Sequence, residues 1–253
     1  MPGYMEFLKN QPSPGTAGFV SDQMKGQPMP PIEKAYPEEA ALIDLISPRE
    51  FIIPTVALLE AIQNRRTRRL FSETPLSLEE LSYLLWATQG VQHLVRSGLI
   101  SLRTVPSSGG MHPFETYLLT NRVENLNPGL YRYIALQHKL LWIAGHTGLP
   151  EKLIEACNGQ DYVAKGAAIF IWSARPYRSE WRNADNALKD ILITAGHICQ
   201  NLYLACEAIR VGVSPLITYH QKLMDELIGI DGQDELVVYL ATLGKVDTSV
   251  IEL

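Results

Sequence analysis

Apolar residues at helical spacing predict four helices in this chain. The first ends near Asn64, and the second opens at a capping box formed by Ser77 and Glu80. The third is a long stretch from about Asp185 to Ile209 that is apolar on most faces, and the fourth covers Lys222 to Ile228. A helix as apolar as the third belongs in a core or in a subunit interface.

Short runs of aromatic and aliphatic residues predict strands that cluster apart from the helices. Asn-Pro-Gly or polar turns separate the first three runs, which indicates an antiparallel meander. The predicted strands cover residues 116–119, 130–133, 140–143, 168–173 and 236–243, with a short segment at 213–217. Because strands and helices do not alternate strictly, the pattern favours an α+β sandwich over a doubly wound sheet.

Prolines divide the chain into two regions. Eight of them fall within residues 1–50, a density that prevents long helices and removes donors from any sheet ladder. We therefore predict an extended amino-terminal arm over residues 1–50 and one folded domain over residues 51–253.

The composition is that of an ordinary soluble globular protein, with 253 residues, 46% hydrophobic residues and a formal charge of −5. No apolar run approaches the roughly 20 residues of a membrane helix, and the amino terminus lacks a secretion signal, which predicts a cytoplasmic protein without a membrane partner. The negative charge argues against a nucleic-acid partner. Three cysteines without a CxxC pair predict structural thiols rather than disulfides or metal ligands.

The segment Arg65–Arg69 contains four arginines and Thr67, and two interpretations of it stay open. A basic run can be a solvated helix end that the helix dipole favours. In an extended segment, however, Arg65, Thr67 and Arg69 point to one side. Two guanidinium groups and a hydroxyl would then converge on one phosphate, while Arg66 and Arg68 face elsewhere.

The loop Pro106–Pro113, with the sequence PSSGGMHP, leads into the meander. It is either a tight connection or a small-residue backbone that packs flat against a planar ring and offers N–H donors. Within the third helix, Gly196 indicates close packing against another backbone, and His197 is predicted to be a satisfied core histidine rather than a catalytic one.

The sequence lacks GxGxxG after a strand, GxxxxGK[ST], HExxH and GxSxG. The candidate residues are typical of ligand binding rather than of acid–base or nucleophilic catalysis. A phosphate-bearing redox cofactor accounts for that combination, so we assign no catalytic side chain and no metal ligand.

Five motifs in order resemble the FMN-dependent nitroreductase superfamily, in particular its SagB-type dehydrogenase branch, over about Pro54 to Lys245. RRTRRLF is similar to the family's RRSxRxF opening, and PSSGGMHPFETYLL is similar to PSAGALHPxExYLV. The other three motifs are LEELSYLLWATQGV, PGLYRY and AGHICQNLYLACEAI.

The resemblance implies an α+β nitroreductase-like sandwich with a mainly antiparallel central sheet flanked by helices. It also implies an intertwined homodimer whose FMN sites lie at the interface. Arg65, Thr67 and Arg69 would hold the FMN phosphate and ribityl edge, the 106–109 loop would approach the flavin of the partner subunit, and residues 215–217 would lie near the flavin ring. The cofactor-binding residues implied are Arg65, Arg66, Thr67, Arg69, Pro106, Ser107, Ser108, Gly109, Pro215, Leu216, Ile217 and Lys245.

The activity implied is that of an oxidoreductase that NAD(P)H reduces in a ping-pong scheme before a small-molecule acceptor binds. Azoline dehydrogenases of peptide tailoring, which belong to the same branch, typically carry a Lys-Tyr pair before the AGH motif. This chain has Arg182 and Asn183 there, which puts azoline oxidation in doubt. That activity stays open as an alternative, as does a flavin-binding module without turnover.

Overall fold

The computed structural model describes Lys9 and residues 15–246, so predictions for the remaining residues lie outside the described part. Its strands are β1 Leu42–Asp44, β2 Val91–Val95, β3 Ile100–Arg103, β4 Phe114–Thr120, β5 Gly129–Ile134, β6 Lys139–Gly145, β7 Ala168–Ala174, β8 Val211–Leu216 and β9 Leu236–Lys245. Its helices are α1 Leu58–Asn64, α2 Leu78–Gln89, α3 Leu149–Ala156, α4 Tyr177–Asn183, α5 Ala187–Ala208 and α6 Gln221–Ile228.

Seven strands form one sheet in the order β1-β6-β5-β4-β7-β9-β8, and every neighbouring pair is antiparallel. Strands β4, β5 and β6 form the predicted meander. One core lies between the sheet and helices α2 and α5, and a second lies on the opposite face beneath α3 and α6. The predicted α+β sandwich with a mainly antiparallel sheet is therefore confirmed.

The four predicted helices are present, and the capping box before α2 is formed. Glu80 N donates to Ser77 Oγ at 3.1 Å, and Ser77 N donates to Glu80 Oε2 at 2.9 Å. The sequence analysis missed α3, α4 and the β2–β3 hairpin. The hairpin has few buried side chains, so it lacks the strong alternation from which strands are predicted.

The described part of the arm lies against the domain of its own chain. β1 pairs with β6, and the backbone of residues 31–35 accepts hydrogen bonds from buried arginines. Arg178 Nε donates to Pro31 O at 2.8 Å, and Arg178 Nη2 forms an ion pair of 2.5 Å with Glu115. The Lys34 N–H completes the arrangement by donating to the same carboxylate at 2.8 Å. The division at residue 50 stays a prediction.

Helix α5 buries one face and exposes the other. Its buried face includes Cys199 and Cys206, which are free thiols as predicted. Its exposed face carries Leu188, Leu192 and Ile193, whose exposed fractions are 54%, 47% and 52%. His197 lies on this exposed face, so its predicted place in the core is wrong: helical periodicity puts residue 197 one turn from Ile193.

None of the described helices is long and apolar enough to cross a bilayer. Within the same residues, no group of histidine, cysteine and acidic side chains is arranged to hold a metal ion.

The ion pair between Arg178 and Glu115 generates a stability prediction. Both side chains are at least 96% buried, so Glu115→Gln leaves a guanidinium without its counter-charge in the interior. We expect a loss of about 3–5 kcal/mol in the free energy of unfolding, measured by urea titration. Glu226→Gln, which breaks an exposed pair with Lys222, is the matched control and should cost less than about 1 kcal/mol. Equal losses in both variants would contradict this assignment.

Candidate functional site

The basic segment after α1 runs along the free edge of β8. Thr67 forms a parallel bridge with Val213, and Arg68 N donates to Val213 O at 3.0 Å. β8 is the last strand of the sheet, so its outer edge is open to accept this pairing. The segment is therefore extended after Asn64, as one of the two interpretations of its sequence required.

Three of the predicted residues meet around Tyr203 of α5. Thr67 Oγ1 lies 2.6 Å from the Tyr203 hydroxyl, and the Arg65 guanidinium stacks on the Tyr203 ring at 4.9 Å from its centre. Burial raises the pKa of the Tyr203 phenol, whereas the Thr67 hydrogen bond and the positive charges of Arg65 and Arg69 act in the opposite direction. Arg69 also lies over the ring of Tyr162, at 5.5 Å. One cation and two hydroxyls are thus in contact here, and a second cation, Arg69, contributes to the electrostatic field at Tyr203.

The other predicted basic residues make contacts elsewhere. Arg66 Nη1 donates to the carbonyl oxygens of Gln63 and Arg65 at the end of α1. Lys245 forms an ion pair with Glu80 and so ties β9 to α2. Arg68, which was expected to face away, pairs with Glu207 of α5 at 2.6 Å. Neither Arg66 nor Lys245 shares the contacts to Tyr203.

Pro215 and Leu216 end the strand that carries Val213, and Ile217 follows it. Pro215 and Leu216 are partly exposed, and Ile217 is 72% exposed. A proline fits here because its missing N–H faces the outside of an edge strand. These residues offer a partly apolar surface two to four positions beyond the Thr67 bridge.

The predicted loop 106–109 is exposed and tightly turned. Ser107 Oγ accepts a hydrogen bond from His112 N at 3.1 Å, and Gly110 N donates to Ser107 O at 3.0 Å. Gly109 has a φ of +60°, and a Cβ there would come within 2.5 Å of the Arg182 side chain. Glycine is therefore required at 109 both by its conformation and by the close approach of Arg182.

Polar residues of α4 and α5 hold this loop from behind. Asn183 Nδ2 donates to Ser108 Oγ at 3.3 Å and to Asp190 Oδ2 at 2.6 Å. Burial raises the pKa of Asp190, and hydrogen bonds from Ser108 and Asn183 oppose that shift. The loop position is thus coupled to the start of α5.

The two groups of predicted residues lie at opposite ends of α5. Asp190 contacts the loop and Tyr203 contacts Thr67. Their separation of thirteen positions corresponds to about 20 Å along a helix. Within one subunit the structure therefore brings together Arg65, Thr67 and Arg69 but does not bring Pro106, Ser107, Ser108 and Gly109 to them.

The group around Tyr203 suits the binding of a phosphate. Among the described residues, no carboxylate forms an ion pair with Arg65, so its donors face no competing anion of the protein. Arginine donors and a neighbouring hydroxyl match phosphate oxygens. The three thiols are poor nucleophiles because burial raises the pKa of Cys157 to about 12 and that of Cys199 to about 11, and it also raises the pKa of Cys206 well above its ordinary value. The arrangement is one for binding and positioning.

Tyr203 and Asp190 were missed by sequence reasoning. A weak signal existed, because both are polar residues in a helix that is otherwise mostly apolar. Their partners are 136 and 82 positions away along the chain, at Thr67 and Ser108, so only the tertiary structure reveals the pairing.

Comparison with known proteins finds two relatives, and this chain covers a different share of each. A Methanocaldococcus jannaschii protein named as a nitroreductase is 26% identical over 178 residues, which cover 70% of this chain and 87% of that protein. The trifolitoxin operon protein TfxC of Rhizobium leguminosarum bv. trifolii is 24% identical over 230 residues, or 85% of this chain and 62% of TfxC. The chain thus spans about three fifths of the second relative.

Solved structures share the fold. A structure from Anabaena variabilis named as a nitroreductase aligns with a TM-score of 0.68 and 24% identity, over 83% of this chain and 42% of that one. A structure from Ralstonia eutropha, also named as a nitroreductase, aligns with a TM-score of 0.67 and 24% identity, over 87% of this chain and 99% of that one. A chain of the E. coli microcin synthetase McbBCD complex aligns with a TM-score of 0.60 and 18% identity, over 90% of this chain and 88% of the matched chain. These similarities show a nitroreductase-like fold.

A family model described as "Nitroreductase family" matches residues 62–245, a span that includes Arg65, Thr67, the 106–109 loop and Tyr203. This match covers well over half of the sequence and includes every strand of the seven-stranded sheet except β1. The chain belongs to the Nitroreductase family.

Proposed function

We propose that this protein is an FMN-dependent oxidoreductase that NAD(P)H reduces in a ping-pong scheme and that passes electrons to a small-molecule acceptor. The observation that carries the proposal is the convergence of Arg65, Thr67 and Arg69 around Tyr203 in a chain of the Nitroreductase family. A donor such as NAD(P)H agrees with the predicted cytoplasmic location.

Each group of residues has a part in this proposal. Arg65, Arg69 and Thr67 would hold the FMN phosphate and ribityl chain, and Pro215, Leu216 and Ile217 would line the flavin ring. FMN, when bound, supplies the hydride chemistry that the protein's own side chains lack. Arg66 and Lys245 support the site indirectly, because Arg66 closes the end of α1 and Lys245 fixes α2 against β9.

The loop 106–109 enters the proposed site through a homodimer. The exposed face of α5 carries Leu188, Leu192 and Ile193, and a Cβ at Gly196 would meet no atom of the chain. A second copy of α5, packed antiparallel across Gly196, would cover this apolar face.

That arrangement also completes the site. The midpoint between Asp190 and Tyr203 falls between Gly196 and His197, so a two-fold axis there places the Asp190 end of one helix beside the Tyr203 end of the other. The 106–109 loop of each subunit would then reach the phosphate-binding group of its partner.

A second candidate is azoline oxidation in peptide tailoring, for which the proposed SagB-type branch is known. The observations that favour it are the similarity to an operon protein of trifolitoxin and to a microcin synthetase complex. Asn183 weighs against it, because its amide is held between Ser108 and Asp190 and offers no titratable group. We therefore place the general flavin oxidoreductase first.

The proposed phosphate site gives a prediction that binding alone can test. The wild-type protein should bind FMN more tightly than riboflavin, because only FMN carries the phosphate. Arg65→Gln and Thr67→Val should each weaken FMN binding by about tenfold to a hundredfold and riboflavin binding much less, measured by flavin fluorescence titration. Arg49→Gln, an exposed loop arginine, is the charge-matched control.

Reduction distinguishes an enzyme from a binding module. Anaerobic NADH or NADPH should bleach the flavin absorbance of the wild-type protein at 450 nm or so. Failure to bind FMN, or equal affinity for FMN and riboflavin, would overturn the proposed site. Bound FMN that neither nucleotide reduces would favour the module without turnover.

The dimer has its own prediction. Leu192→Glu places a charge in the proposed interface, so we expect a shift from dimer to monomer in sedimentation and a loss of flavin binding. Ile143→Glu, at a comparably exposed position on β6, should change neither. A wild-type monomer that binds FMN fully would contradict the shared site.

A further inference from the structure

We infer that Arg182 is the recognition residue for an anionic group, a carboxylate or phosphate, on the small molecule that binds at the flavin face. This inference rests on the proposed function and extends it from an unspecified acceptor to a chemical class of ligand. It begins with the position of Arg182 on α4, immediately behind the 106–109 loop.

Arg182 packs against the backbone of the loop. A Cβ at Gly109 would lie 2.5 Å from both Cδ and Nε of Arg182, so the absence of that atom is what permits the contact. The Gly109 conformation, with φ at +60°, exposes this surface of the turn to the guanidinium group. The charge is therefore carried at the point of the loop proposed to face the flavin of the partner subunit.

Within residues 15–246, no acidic side chain neutralises the guanidinium of Arg182. No oxygen of the described residues accepts a hydrogen bond from it, and no described carboxylate forms an ion pair with it. Asp190, which contacts the loop, accepts hydrogen bonds from Ser108 and Asn183. By contrast, Arg178 of the same helix is fully paired with Glu115 and the Pro31 carbonyl.

An arginine that is partly buried, held by packing and without a polar partner among the described residues is a suitable donor for an oxyanion. In the proposed homodimer, the partly apolar surface formed by residues 215–217 of the partner subunit would accommodate the remainder of a planar ligand. Two sources of the oxyanion fit this chemistry: a carboxylate on the electron acceptor, or the phosphates of the nicotinamide donor.

The acceptor source is tested with two molecules that differ only in charge. For the FMN-loaded wild-type protein we expect kcat/KM to be higher for 4-nitrobenzoate than for 4-nitrobenzamide. Arg182→Gln should lower kcat/KM for 4-nitrobenzoate by about tenfold to a hundredfold and change the value for 4-nitrobenzamide less than about threefold. Arg182→Lys should recover part of the loss, and Arg49→Gln should resemble the wild type.

Binding without turnover provides an independent readout. Benzoate and benzamide are titrated into the oxidised holoprotein by calorimetry, and Arg182→Gln should weaken only benzoate. The donor source is tested by anaerobic flavin reduction with NADH, NADPH and the uncharged 1-benzyl-1,4-dihydronicotinamide. If Arg182→Gln slows flavin reduction by NADH and NADPH but not by 1-benzyl-1,4-dihydronicotinamide, and leaves benzoate binding unchanged, the anionic group belongs to the nicotinamide donor.

The role of Arg182 would be overturned if Arg182→Gln left two preferences unchanged: that for the carboxylates over the amides, and that for the dinucleotides over the uncharged donor. That outcome differs from a failure of the proposed function, in which the wild-type protein would lack FMN or would leave 4-nitrobenzamide unreduced. Turnover of the neutral acceptor therefore shows that the flavin chemistry works and isolates the question of anion recognition.

Discussion

The burial of one face of α5 against the sheet determines where everything else in the candidate site lies. Ile191, Ala195, Ile198 and Leu202 join the core that this helix forms with α2 and the sheet. With the helix fixed along its length, its first turn holds the 106–109 loop and its penultimate turn holds Thr67. The rigid separation of about 20 Å between the two groups follows from helix geometry, not from any property of the loops.

A network of buried charges fixes the first of those two groups. Arg178 joins the arm, through Pro31, to β4, through Glu115, and its helix α4 continues to Arg182 and Asn183 beneath the loop. The arm also contacts α4 directly, because Trp181 Nε1 donates to Gln27 O at 2.9 Å. The described arm therefore helps to support the 106–109 loop. Removing a charge from this network should change the position of the loop as well as the free energy of unfolding.

The sequence predicted what depends on local pattern and missed what depends on pairing across the chain. The capping box at Ser77 and the apolar faces of α5 are local, and they were predicted correctly. The family motifs selected Arg65, Thr67 and Arg69, but not Tyr203, because nothing near Thr67 in the sequence indicates its partner on a distant helix. His197 was misplaced for a related reason: a mostly apolar helix does not show from its own sequence which of its faces packs against the sheet.

The electrostatics of the candidate site suit these side chains to positioning rather than to acid–base chemistry. Burial raises the pKa of Tyr203, so its phenol stays protonated at neutral pH and acts as a hydrogen-bond partner of Thr67. The buried thiols are protonated for the same reason. The guanidinium groups of Arg65, Arg69 and Arg182 supply positive charge and planar arrays of N–H donors. A site built from fixed charges and protonated hydroxyls can hold and orient anionic ligands, and it leaves the transfer of electrons to the cofactor that we propose it binds.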